Sequence, residues 1–225
     1  MFSGRGATDA FFVSGCARKL LTASDWVLSR IAYSCLMEVI LASKSPRRLQ
    51  LLQAAGLAVE VMPSHVDETP LPGEVVADMV QRLCRKKAEA CPVSNRPVIA
   101  ADTLVSLHGD ALGQPAHMDE AREMLMRLSG QTHQVMTAVC VRLGELVLAE
   151  MVTTEVRFRE LAALEVEIYL QHNDVLDKAG AYAIQAGAAS FIESVQGPLD
   201  NVIGLPVRST LTLLGQVMQT QGEES

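Results

Sequence analysis

Residues 38–48 read Glu38-Val39-Ile40-Leu41-Ala42-Ser43-Lys44-Ser45-Pro46-Arg47-Arg48. The apolar run at 38–42 has the length of a buried strand, and residues 43–56 have the order of a helix start and its stop. Ser45 suits an N-cap, Pro46 suits the first helical position because its missing N–H would find no partner there, and Gly56 stops the helix after Ala55. Free N–H groups at a helix start carry partial positive charge, and two serine hydroxyls with two guanidinium forks beside them add donors. The segment is therefore a candidate phosphate site. Its plainer reading is a capped surface helix with two solvated arginines.

Strand-like and helix-like segments go on alternating downstream, the pattern of a layered α/β fold. A strand at 57–62, a polar loop at 63–73 and a helix at 74–90, with Val75, Val76, Met79, Val80 and Leu83 on one face, lead to Val98-Ile99-Ala100-Ala101. This run reads as a buried strand ending at Asp102-Thr103, which sets a carboxylate at a strand end beside a cleft. Leu104–Leu107 and the turn at His108-Gly109-Asp110 read as an extension or hairpin, and a helix at 119–128 stops at Ser129-Gly130. Segments 134–142 and 146–158 flank a turn at Gly144 and read as an antiparallel hairpin, so the sheet is mixed. A helix at 161–171, short strands at 181–184 and 190–193 and a last helix from Val207 complete the order.

Composition narrows the function. The chain has 225 residues, 49% hydrophobic and 20% charged, enough for one substantial core and unlike a disordered chain. Its net charge of −7 argues against a generic grip on nucleic acid polymer, so any anion site must be local. Cys16, Cys35, Cys84, Cys91 and Cys140 are scattered without a C-x-x-C pair, which points to a reducing, cytoplasmic setting rather than a disulfide framework or zinc knuckle. No apolar run reaches bilayer length, and no membrane span is expected. Residues 1–36 carry Arg5, Arg18, Lys19 and Arg30 against Asp9 and Asp25. They fit a transit-like leader, an extra helix around Trp26 to Tyr33, or translation begun upstream of the functional start. We favour the last, an extension outside a domain spanning 37–225.

The chemistry narrows further by type. Walker, dinucleotide, zinc-protease and nucleophile-elbow motifs are missing. His65, His108, His117, His133 and His172 are dispersed and read as surface or hydrogen-bonded residues, with His133 able to approach a cleft. The carboxylates that remain are Asp67-Glu68, Asp102 and Asp177, the last beside Lys178. A triphosphate normally calls for a hard divalent cation, and Mg²⁺ takes one or two carboxylates plus water and phosphate oxygens.

In order, residues 41–48, Asp67-Glu68, Ala101-Asp102-Thr103, Leu128-Ser129-Gly130 with His133 and Thr137, residues 177–185 (Asp177-Lys178-Ala179-Gly180 through Ile184-Gln185) and Asn201-Val202-Ile203-Gly204-Leu205-Pro206 resemble the Maf family of nucleoside triphosphate pyrophosphatases. The resemblance implies an elongated, inosine triphosphate pyrophosphatase-like α/β fold, with a twisted mixed sheet, flanking helices and a cleft between two lobes. It implies cleavage between the α- and β-phosphates, releasing pyrophosphate, with Mg²⁺ or Mn²⁺. Residues 177–185 are similar to the branch acting on dTTP and UTP. By the same resemblance Asp102 is the proton acceptor and, with Glu68, a metal ligand; Arg48 and Lys87 hold phosphate; Ser43 and Lys178 line the phosphate path; Arg47, Thr103 and Gln185 bear on substrate choice. A homodimer is compatible with it. Two positions depart from the family pattern: Gln114 stands where a lysine is common, and Ala186 follows Gln185 where glycine is usual. A 7-methyl-GTP pyrophosphatase and a nucleotide-binding cell-division regulator stay open as alternatives.

Overall fold

The structure, a computed structural model, describes residues 37–223; the expectations for residues 1–36 lie outside the described residues. In chain order the elements are β1 (Glu38–Leu41), α1 (Pro46–Ala54), β2 (Ala58–Val61), α2 (Val76–Glu89), β3 (Val98–Leu107), β4 (Asp110–Leu112), α3 (Met118–Leu128), β5 (Thr132–Leu143), β6 (Leu146–Phe158), α4 (Ala163–His172), β7 (Ile192–Gln196), α5 (Leu199–Ile203) and α6 (Val207–Glu223). The strands form one open sheet in the order β2-β1-β3-β5-β6-β7, with β4 also paired to β3. β1 runs parallel to β2 and β3, and the remaining pairs are antiparallel, so the expected mixed sheet is what forms.

Apolar spacing dictates how the helices cover this sheet. Val80, Leu83 and Cys84 of α2 pack with Ile40, Ala100 and Leu104 on one face. Leu52 of α1 and Leu213, Leu214 and Val217 of α6 pack with Val39 and Ile99 on the other. Successive strand residues point to opposite faces, so neighbours in β1 and β3 feed different cores. A third core, containing Leu125 of α3, Val166 of α4, Val156, Phe158 and Tyr182, covers the far part of the β5–β6 hairpin.

The strand lengths open the cleft. β1 stops at Leu41, opposite Ile99, and β4 joins β3 only from Val105 onward. Between them Asp102 and Thr103 are held by β5 through Ala138 and Thr137, while among the described residues no strand pairs with the other edge of β3 there. The expected strand end at Asp102-Thr103 is thus corrected: β3 runs on to Leu107 because β5 pairs with it continuously as far as Ser106. The carboxylate faces a gap in the sheet.

Two further readings change. The strand expected at 181–184 is a series of 3-10 turns, Ala179–Ala181, Ile184–Ala186 and Ala188–Phe191. Gly180 and Ala181 have φ of 69° and 60°, outside any strand, and a Cβ on Gly180 would lie 3.0 Å from Val105 Cγ2. The strand expected at 190–193 forms two residues later, as β7 against β6. Ser45 occupies the N-cap of α1 with Pro46 after it, but its side chain makes no cap bond.

Candidate active site

A cleft of about 740 Å³ opens over the gap in the sheet. Lys44, Arg47, Arg48, Lys87 and Lys178 line it together with Glu68, Asp102 and Asp177, so a chain of net negative charge carries a locally cationic cavity. The residues to which the resemblance gave a site role (Ser43, Arg47, Arg48, Glu68, Lys87, Asp102, Thr103, Lys178 and Gln185) lie on its lining, whereas Asp67, beside Glu68, does not.

Asp102 and Thr103 are neighbours on β3 and so project to opposite faces of the sheet. On the α2 side, Lys87 Nζ lies 2.5 Å from Asp102 Oδ1 and 2.7 Å from Glu68 Oε1. Val80, Leu83, Cys84 and Lys87 follow i, i+3, i+4, i+7 spacing, which carries the lysine onto the buried face of α2. That periodicity was a readable signal for Lys87, apart from any resemblance. Burial pushes the Asp102 carboxyl above its ordinary range, against the opposing pull of Lys87 and Arg48. An ammonium has three N–H donors; one is hydrogen-bonded to Asp102, Glu68 is held as an ion pair, and N–H capacity remains for a further oxygen.

On the other side, Arg48 of α1 reaches across to Thr103. Its Nε donates to Gly204 O at 2.8 Å, Nη1 to Ser43 Oγ at 3.0 Å and Nη2 to Thr103 Oγ1 at 3.0 Å. A guanidinium has five N–H groups, so one stays free on each terminal nitrogen. Ser43, buried just past β1, also accepts the Ser45 N–H at 3.2 Å, and so supports the helix start that Ser45's own hydroxyl does not cap. Burial pulls the Arg48 pKa below its ordinary value, with Asp102 the first of the groups that oppose this.

At the mouth, Asp177 gathers three elements. Its carboxylate pairs with Arg47 at 3.3 Å and with Lys178, its backbone carbonyl accepts from Gln114 Nε2 at 3.2 Å, and Lys178 also donates to Asp174 O. Burial raises the Asp177 carboxyl, but its bonds to Lys178 and the nearby cations bring it below the ordinary value overall. Gln185 is exposed at the rim, in the second 3-10 turn.

His133 does not line the cleft. It is buried, its Nε2 lies 2.8 Å from the Tyr182 hydroxyl, and burial lowers its pKa to about 4. The ring is neutral at pH 7 and belongs to an aromatic cluster with Phe158 and Tyr182. The roles of Thr137, Asn201 and the Gly204 carbonyl were not legible in the sequence, although a polar Thr137 inside the apolar stretch of β5 was a hint.

Fold and site together define an α/β protein with a large cationic cleft and a buried carboxylate at its floor. The chain belongs to the Maf family: the family model described as Maf-like protein matches residues 38–217. It is 48% identical over 180 residues to the dTTP/UTP pyrophosphatase of Anaeromyxobacter dehalogenans (strain 2CP-1), covering 78% of this chain and 92% of that relative. It is 42% identical over 185 residues to the dTTP/UTP pyrophosphatase of Chromobacterium violaceum (79% and 93% covered), and 40% identical over 187 residues to the nucleoside triphosphate pyrophosphatase of Haemophilus ducreyi (80% and 95% covered). No helix among the described residues is long and apolar enough to cross a membrane.

Proposed function

We propose that this chain hydrolyses nucleoside triphosphates, dTTP and UTP foremost, to the monophosphate and pyrophosphate. The observation that carries the reading is Asp102: a buried carboxylate with a raised pKa, 2.5 Å from an ammonium, on the floor of a cleft whose walls hold Arg48 and Lys178. Water attacks the α-phosphorus, the bond to the α–β bridging oxygen breaks, and Asp102 takes the proton of the attacking water. A carboxylate with a raised pKa is a better base near neutrality than an ordinary one. Arg48 offers its two spare N–H groups, and Lys87 a remaining N–H, to oxygens that gain charge in the transition state.

The donor set suits a divalent cation. Glu68 and Asp102 already converge on one positive charge, the Lys87 ammonium, and two carboxylates with water and substrate oxygens meet the needs of Mg²⁺ or Mn²⁺. Among the described residues no group of three or more metal-ligating side chains gathers, which fits a cation that arrives with the substrate. When bound, it would neutralise phosphate charge and polarise the reacting centre.

Substrate choice falls to Gln185, whose exposed amide can read the polar edge of a pyrimidine, and to Arg47 at the mouth. Thr103 would act indirectly, since Arg48 and Thr137 take up its hydroxyl. The buried free thiols of Cys84, Cys91 and Cys140 support a cytoplasmic setting. Pyrophosphate release measured over a nucleotide panel with Mg²⁺ and Mn²⁺ tests the reading. Release from dTTP and UTP is expected, and turnover confined to 7-methyl-GTP would favour the other branch.

A further inference from the structure

Behind Arg48 lies a chain of buried polar groups that does not reach the cleft. Thr137 and Asn201 are completely buried, Thr137 within β5 and Asn201 in α5, and neither lines the cavity. Thr137 Oγ1 lies 3.0 Å from both Thr103 Oγ1 and Asn201 O. A carbonyl can only accept, so the Thr137 proton goes to Asn201, and the bond between the two threonines must be donated by Thr103. Thr103 Oγ1 also lies 3.5 Å from Gly204 O, but with its proton given to Thr137 at 3.0 Å it is held as an acceptor toward Arg48. The direction of the chain is fixed: Arg48 Nη2–H to Thr103, Thr103 to Thr137, Thr137 to Asn201.

The far end is fixed by the same reasoning. Thr154 Oγ1 donates to Pro198 O at 3.0 Å, so it can only accept from Asn201 Nδ2, also at 3.0 Å, while the second amide proton goes to Val135 O at 2.9 Å. That determines which way the Asn201 amide points and straps α5 to β5 and β6. Gly204, just past α5, has N–H bonds to Asp200 O and Asn201 O, and its own carbonyl takes the Arg48 Nε–H. Two of the three acceptors that hold the Arg48 guanidinium therefore depend on Thr137 and Asn201.

We propose that Thr137, anchored by Asn201, is a positioning residue that sets the plane of the Arg48 guanidinium and so aims its two free N–H groups at the substrate phosphates. The inference rests on the reading of Arg48 as a phosphate-binding group. A forked donor is useful only when its plane is fixed, since a tilted fork meets one oxygen instead of two. Linked bonds in a buried setting reinforce one another, so loss of Thr137's hydroxyl reaches Arg48 through Thr103.

The test is a double-mutant cycle of Thr137→Val and Arg48→Lys, with Thr137→Ser as the conservative control, read as kcat and KM for pyrophosphate release from dTTP. Thr137→Val is expected to lower kcat/KM by about tenfold in the native background, about one charge-assisted hydrogen bond, and by less than about twofold when Arg48 is already lysine. Thr137→Ser should restore the native value. A merely structural role would give the same loss in both backgrounds, and that result overturns the proposal, as does an unchanged kcat/KM in Thr137→Val. If Thr137→Val does not fold by circular dichroism, Thr137→Ala removes the same hydroxyl without placing a methyl against the Asn201 carbonyl. If the native protein releases no pyrophosphate from any nucleotide, the proposed function has failed, and the same cycle is read on calorimetric affinity for inorganic pyrophosphate. Non-additive weakening there sustains the positioning role; additive weakening, or no binding to the native protein, removes it.

Discussion

Lys87 shares its ammonium between Asp102, which is buried, and Glu68, which is half exposed, at 2.5 and 2.7 Å. The two carboxylates are brought together by one helix residue on the core-facing stripe of α2. This makes Lys87 the group that keeps a buried acid ionisable. Burial drives the Asp102 pKa up, and Lys87 is the first of the charges that oppose it.

Lys87→Met therefore removes the opposing charge and raises the Asp102 pKa further. Asp102 must be deprotonated to accept a proton, so activity rises with pH through this pKa. The acid limb of the kcat/KM profile is expected to move to higher pH in Lys87→Met, with a loss of about 10²-fold or more at the plateau. A lower plateau with an unmoved acid limb would separate Lys87 from Asp102.

His133 sets a second pH dependence, of stability rather than activity. Its pKa in the folded chain is about 4 against an ordinary 6.5, so the unfolded chain takes up the proton first as pH falls. Stability from this group is fully present above pH 6.5 and is lost as pH drops to about 4, amounting to roughly 3 kcal/mol at 1.36 kcal/mol per pH unit. Urea unfolding of the native protein and His133→Gln between these limits should show a shallower pH slope in the variant. Equal slopes would assign the dependence to other groups.

Gln114, read from the sequence as standing where the family pattern has a lysine, donates to the Asp177 carbonyl at the mouth and is exposed. Gln114→Lys restores a cation near the incoming phosphates at an exposed position, where one charge has a modest effect. KM for dTTP is expected to fall about two- to fivefold at low salt, with the difference closing at high salt as screening grows. An unchanged KM at low salt would mean that the Asp177 contact, not the charge, is what this position contributes.

Local rules carried the reading of β1 and α1, where apolar run, proline and closing glycine agree, and of the long β5–β6 hairpin. They were less useful wherever a partner decides the outcome. Aspartate is disfavoured within strands, and β3 runs through Asp102 because β5 pairs with it to Ser106. The run Ala181-Tyr182-Ala183-Ile184 resembles a strand until Gly180 and Ala181 are seen at positive φ, with Gly180 against Val105. The site's residue types were legible, but its wiring was not. Arg48 bonds a carbonyl 156 positions away and Thr137 one 64 positions away, distances over which periodicity carries no information. His133, readable as a cleft neighbour, is withdrawn into an aromatic core by Phe158 and Tyr182.

If Asp102 is the base of a pyrophosphate-releasing hydrolase, removing its charge must stop turnover while leaving the cationic walls able to hold nucleotide. This is measured as pyrophosphate release from dTTP, UTP and 7-methyl-GTP by the native protein and by Asp102→Asn, with nucleotide binding followed in parallel. Release from dTTP and UTP by the native protein is expected, with a fall of about 10²–10⁴-fold in kcat for Asp102→Asn and nucleotide binding retained in the variant. Tight dTTP binding without pyrophosphate release by the native protein, or an Asp102→Asn variant that turns over at the native rate, would contradict this role for Asp102.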